Sequence, residues 1–231
     1  MKLLAFETAT EACSVAVYVD GEVRERFEVA PRRHAELALP WADALLAEAG
    51  VAKSQLDAIA VGRGPGAFTG VRLAVALAQG IALALDRPVL PVSTLAVLAA
   101  QAPGERVIAA IDARMGEVYL GRFLPQDGEP RLAGAETVVA PLQAALPEGG
   151  GWHGLGTGFA AADGALRQRL GEALVSVDTQ ALPHAADVAR LGARAFARGE
   201  AIAPDRLEPA YLRDNVALTL DQQQALRAGR G

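Results

Sequence analysis

Leu3-Leu-Ala-Phe-Glu7-Thr-Ala-Thr-Glu-Ala-Cys-Ser14-Val-Ala-Val-Tyr-Val19 sets a short apolar run, a polar turn and a second apolar run in immediate succession. This pattern predicts two strands joined by the turn 7–11, and residues 23–29 add a third strand across Asp20-Gly21, a dipeptide suited to a type I′ hairpin. The turn is the first place where a ligand is expected. Farther along, the chain repeats its opening: an apolar strand over 107–111, Asp112 where the first half has Glu7, and a strand over 118–123 with Val118-Tyr119 where the first half has Val17-Tyr18. Two related halves follow, with Pro103-Gly104-Glu105 as the boundary. The first lobe is expected to span 1–103 and the second 104–184, with a C-terminal helical segment, about 185–216, packing back on the first and a mobile polar tail over 221–231.

Between the strand-turn-strand units the pattern is α/β. Leu37, Trp41, Leu45 and Ala49 recur at helical spacing after His34, with Pro40 predicting a kink. Residues 56–61 form a continuous apolar strand of the kind buried on both faces of a parallel sheet. A glycine loop over 62–70 leads into an alanine-rich helix over 71–85, apolar on nearly every side, and further helices are expected over 94–102, 160–174 and 185–199. An apolar fraction of 52% over 231 residues allows a sizeable core.

Composition excludes several classes. The single cysteine, Cys13, cannot form an internal disulfide and reads as a small buried hydrophobe in a reducing compartment. The N-terminal apolar run is too short for a signal-peptide core, and the most apolar stretch, 73–85, has 13 residues against the roughly 20 of a membrane span, so a cytoplasmic protein with no membrane is expected. A net charge of −5 gives no basic field for binding a nucleic-acid backbone.

The motifs narrow the chemistry further. Arg63-Gly64-Pro-Gly66-Ala-Phe68-Thr-Gly70-Val-Arg72 lies between a strand and a helix, where an anion could be cradled, yet it holds no lysine and so is no P-loop. Gly62, Gly64 and Ala67 satisfy G-x-G-x-x-[GA], but three strands and a helix precede them, which argues against a dinucleotide fold. Two readings of the loop stay open: glycines that permit a tight turn and close packing, or a contact loop for a partner or ligand. His34, His153 and His184 are too dispersed for a metal set, and no serine sits in a nucleophile elbow. Glu7, Thr8, Thr10 and Asp112 are the nucleotide-binding candidates, two turns facing each other across a cleft, or else simple turn caps. Arg32, Arg33 and Arg72 read as exposed cations.

Five blocks carry a resemblance: Glu7-Thr-Ala-Thr-Glu-Ala-Cys-Ser-Val-Ala, the segment 62–72, Val92-Ser-Thr-Leu95, Ala109-Ala-Ile-Asp-Ala-Arg-Met-Gly-Glu-Val-Tyr119 and Glu208-Pro-Ala-Tyr-Leu-Arg-Asp-Asn-Val216. The sequence resembles the bacterial TsaB (YeaZ) proteins of the threonylcarbamoyl-adenosine (t6A) tRNA modification complex. That resemblance implies an α/β fold of the actin-like ATPase (ASKHA, RNase H-like) class, with two lobes of mixed sheets flanked by helices. It implies a non-catalytic subunit that activates TsaD, a partner of the same fold that transfers threonylcarbamoyl from threonylcarbamoyl-AMP to N6 of tRNA A37. Thr94 and Leu98 stand where TsaD has two metal-binding histidines. Glu7 replaces the family's aspartate, and Ala9 stands where kinases of the superfold have glycine. No cofactor is therefore expected on the isolated chain, ATP or ADP being expected at the junction with TsaD. TsaE is a further partner, two copies pair when TsaD is absent, and tRNA is met only through the complex. By the same resemblance the interface comprises His34, Leu37, Trp41, Leu45, Gly64, Phe68, Arg72, Val75, Leu77, Gln79 and Leu83. The competing expectation is an independent kinase or ATPase of this superfold using Glu7, Thr10 and Asp112; a peptidase lacks any nucleophile or metal set.

Overall fold

The computed structural model describes residues 1–102 and 104–213. The opening sequence forms β1 (Lys2–Glu7), β2 (Ala12–Val19) and β3 (Glu22–Val29), an antiparallel meander in which Glu7 pairs with Ser14 and both Asp20 and Gly21 take positive φ at the hairpin. Helix α1 (His34–Glu48) runs as one element through Pro40, which is exposed, and leads to β4 (Ala58–Gly62), parallel to β1. Helix α2 (Phe68–Leu85) then returns the chain to β5 (Val89–Val92), parallel to β4. The sheet order is β3-β2-β1-β4-β5.

After α3 (Thr94–Ala99), the second lobe repeats this plan with β6 (Arg106–Arg114), β7 (Glu117–Gln126), β8 (Glu129–Leu132), β9 (Thr137–Val139), β10 (Trp152–Leu155), α4 (Ala161–Leu170) and β11 (Leu174–Asp178). Its order is β11-β10-β6-β7-β8, with β9 added on β7. With β9 set aside and read from the antiparallel side, both sheets run third, second, first, fourth, fifth strand, so the two halves share one topology.

Strand alternation divides the first lobe into two layers. Leu4, Phe6, Val15 and Val17 pack under α1 and α2, while Leu3, Ala5, Ala16 and Ala60 face α5 (Ala185–Ala197). That second layer is thin because its residues are small: a side chain on Gly192 would meet the Ala60 methyl at 2.9 Å. The first turn of α5 is satisfied by the sheet itself, with Ala185 N donating to Ser14 Oγ (2.8 Å) and Ala186 N to Glu25 Oε1 (2.9 Å). Burial pushes Glu25 up, but hydrogen bonds from His184, Ala186 and Ser14 outweigh it and hold the carboxyl below its ordinary value.

Each lobe lends its last helix to the other. Helix α3 follows the first sheet and stands between the lobes: Val97 packs with Leu90 and Val92 of the first, while Leu95, Leu98 and Ala99 pack with Val107, Ala109, Ile111 and Phe123 of the second. Helix α5 ends at Ala197, so the helical segment expected as far as 216 is shorter; from 198 to 213 the chain is a strap with one 3-10 turn, Pro204–Arg206. The tail 221–231 lies outside the described residues. Helix α2 starts at Phe68, three residues before the expected position, and reaches 18 residues, long and apolar enough by composition to span a membrane. Its inner face, Val71, Ala74, Val75, Ala78 and Ala82, is instead packed on the sheet.

Candidate partner-docking face and inter-lobe cleft

Glu7 ends β1 beside Gly62, the last residue of β4, and the missing side chain of that glycine is what admits it: a Cβ there would lie 1.9 Å from Glu7 Oε2. Glu7 is fully buried, accepting hydrogen bonds from Ala9 N (2.7 Å) and from Thr94 Oγ1 (3.1 Å). Burial pushes its carboxyl up to about 7, opposed by those bonds and one from the Thr8 amide. Thr8 Oγ1 donates to Gly70 O (2.7 Å) and Ala67 N donates to Ala9 O (2.7 Å), so the turn and the loop are bonded directly to each other. Side chains at Gly66 and Gly70 would meet Ala9 O at 2.3 Å and Thr8 O at 2.0 Å. These glycines serve close backbone approach, and the turn and loop are packed shut against each other.

Of the four nucleotide candidates, the cleft between the lobes gathers Thr10 and Asp112; Glu7 and Thr8 do not line it, because their side chains are turned into the fold. The cleft measures about 1120 Å³. His34 Nε2 sits 3.0 Å from Thr10 O and ties the start of α1 to the turn. Asp112 accepts from Arg114 N (2.8 Å) and from the Arg114 guanidinium (3.0 Å), so it caps its own turn. Thr94 is held by Glu7 and Leu98 is fully buried in the core of the second lobe; among the described residues no three His, Cys, Asp or Glu side chains cluster to hold a metal.

The outer face of α2 is open. Phe68 is 59% and Leu83 63% exposed, Arg72 and Ala76 are exposed between them and Ala84 just beyond, and Gly80 has nothing within 4 Å of where a side chain would begin. Leu77 and, on α1, His34, Leu37 and Trp41 are half-buried beside the same core layer. Three residues expected at an interface are corrected by the fold: Leu45 and Val75 point into the core, and Gly64 is buried with its Cα facing Val71, so none has surface to offer. Gln79 is also committed internally, its amide donating to Pro204 O and Leu207 O, both at 3.0 Å. The sequence reasoning missed Tyr211, whose hydroxyl accepts from Arg72 Nε (2.8 Å) while the guanidinium lies 3.2 Å from the Phe68 ring centre. The block 208–216 that carried part of the resemblance marked the segment without giving Tyr211 a role.

Two lobes of one repeated topology, joined by exchanged helices, define an actin-like (ASKHA) α/β fold. A family model described as "TsaD: tRNA N6-adenosine threonylcarbamoyltransferase" matches residues 27–219. The chain is 40% identical over 94% of its length to the tRNA threonylcarbamoyladenosine biosynthesis protein TsaB of Escherichia coli K12, covering 96% of that protein. It is 38% identical over 94% of its length to TsaB of Haemophilus influenzae, covering 95%. Among solved structures, YeaZ from Pseudomonas aeruginosa superposes with a TM-score of 0.84 at 50% identity, over 91% of this chain and 99% of that one. The chain belongs to the TsaB (YeaZ) family.

Proposed function

We propose that this chain serves tRNA threonylcarbamoyladenosine biosynthesis as a non-catalytic subunit. It docks on TsaD through the outer face of α2, is joined by TsaE, and activates the transfer by TsaD of threonylcarbamoyl from threonylcarbamoyl-AMP to A37 of tRNA. Involvement in the pathway rests on relatives named TsaB at 38–40% identity over nearly the whole chain. The observation that carries the subunit role is the contrast between an open apolar helix face and a glycine loop filled by the chain's own backbone.

Phe68, Leu77 and Leu83, with alanines and Gly80 between them, supply anchors and a surface that another helix can approach closely. When TsaD is absent, two copies pair through this face. The residues of the turn and loop do not fit a nucleotide held in the manner of the superfold's kinases, so any ATP or ADP is assigned to the junction with TsaD. With a net charge of −5, the chain leaves tRNA to its partners, and the work is cytoplasmic.

The test is co-purification with TsaD. Leu83→Arg, at an exposed position, is expected to abolish it while circular dichroism and melting stay near those of the unaltered chain, and Leu77→Arg to abolish it with some loss of stability, since Leu77 is half-buried against the core. Full retention of TsaD by both variants would remove α2 as the docking element. The second reading, an independent kinase or ATPase, is favoured by the roomy cleft with Thr10 and Asp112 on its walls. Micromolar ATP binding with turnover by the isolated chain would favour it over the first.

A further inference from the structure

From Pro204 onward, the strap that follows α5 is fastened unequally to the two lobes. On the first lobe it is held at four places: Leu207 is buried in the core under α2, Gln79 binds Pro204 O and Leu207 O, Ala210 N donates to Arg63 O (2.8 Å), and Tyr211 accepts from Arg72. On the second lobe this stretch is held, among the described residues, by Arg213, whose Nη2 donates to Glu117 Oε2 (2.5 Å) and to Ala113 O (3.3 Å). The guanidinium is largely shielded, its side chain 19% exposed, which strengthens a charge-assisted pair.

The hairpin it grips turns through left-handed backbone. Arg114, Met115 and Gly116 take left-handed φ of 63°, 56° and 76°, a conformation that costs a non-glycine residue on the order of 1 kcal/mol. Other ties between the lobes lie elsewhere: Arg194 of α5 and Arg198 just after it hold Glu129, Ser93 donates to Glu136, and Thr94 donates to Glu7, but none of these residues lines the cleft. Arg213, Ala113 and Arg114 do line it.

We propose that residues 207–213 are an inter-lobe latch: seated on Glu117, Arg213 fixes the width of the cleft and holds Tyr211 against Arg72 on the docking face of α2. Cleft width and docking are thereby coupled, since what opens the second lobe pulls on Tyr211, and what binds across Tyr211 and Phe68 resists that opening. The width-setting part stands on the contacts of the strap alone. The coupling part rests on the docking role proposed for α2.

The experiment is a distance measurement by paired spin labels on Ala47→Cys of α1 and Arg167→Cys of α4, both exposed and in different lobes. Cys13 stays unlabelled, because burial, with Glu28 nearby, pushes its thiol up to about 11. Glu117→Gln and Arg213→Gln are each expected to lengthen and broaden the inter-lobe distance, and the double variant to do so no further than either one, as for a single shared interaction. In parallel, each single variant is expected to weaken TsaD binding by about tenfold, the loss of one contact residue's placement. Distances unchanged in both single variants, or effects that add in the double, would overturn the latch. Distances that lengthen with TsaD affinity unchanged would overturn the coupling. Should Leu83→Arg leave TsaD binding intact while the distances still respond, the docking reading fails and the latch stands.

Discussion

The turn after β1 and the turn after β6 occupy equivalent places in two copies of one topology, yet they have opposite fates. The first is shut at its start, with only its far end, around Thr10, on the cleft wall: Glu7 is fully buried, and the backbone of Thr8 and Ala9 presses on Gly66 and Gly70. The second is open: Asp112 lines the cleft, Arg114 is exposed, and Met115, 86% exposed, projects at the tip. An acid at the end of the first strand is thus no guide to a ligand by itself. What decides is whether a neighbouring glycine leaves room for the carboxylate to fold inward, as Gly62 does for Glu7 and no glycine among the described residues does for Asp112.

That difference can be broken most forcefully at Gly70. Its missing side chain would lie 2.0 Å from the Thr8 carbonyl oxygen, a backbone atom that cannot step aside, so Gly70→Ala is expected to lower unfolding free energy by about 3 kcal/mol or to prevent soluble expression. Urea denaturation measures it, and a midpoint equal to that of the unaltered chain would contradict the packed-shut turn.

A comparably large effect should appear with pH. In the fold the Glu7 carboxyl is raised from 4.5 to about 7, so the folded chain holds this proton more tightly than the unfolded chain. The resulting stabilisation is complete below about pH 4.5 and is lost as pH rises through 7, a span worth on the order of 3 kcal/mol. Glu7→Gln keeps an acceptor for Ala9 N and removes the titration. It should therefore be more stable than the unaltered chain at pH 8, with the advantage shrinking to nothing by pH 4.5. Parallel stability curves for the two proteins would show that Glu7 is not buried as described. At the open turn the expected effect is smallest: Asp112→Asn retains the acceptor for Arg114 N and loses only an exposed ion pair, so melting should change by less than about 0.5 kcal/mol equivalent.

Much of the fold was legible because its signals are local. Strand alternation in 3–29, the Asp20-Gly21 hairpin and the recurrence of the opening at 107–123 needed no knowledge of distant contacts. The start of α2 was misplaced because Ala67 caps the helix with no side-chain hydrogen bond, leaving no residue type to announce it. Leu45 and Val75 were set at an interface because α1 and α2 are apolar on more than one side, and only the sheet beneath them shows which side is inward. The roles of Tyr211 and Arg213 depend on partners 139 and 96 residues away in sequence, Arg72 and Glu117, which no local pattern reveals.

Whether the chain acts through another protein is tested most directly by measuring threonylcarbamoyl transfer to tRNA, with threonylcarbamoyl-AMP supplied, for the chain alone, for TsaD alone, and for TsaD with the unaltered or Leu83→Arg chain. The account predicts no product from the chain alone, a strong gain when it joins TsaD, and loss of that gain with Leu83→Arg. Sustained product from the chain by itself would contradict it.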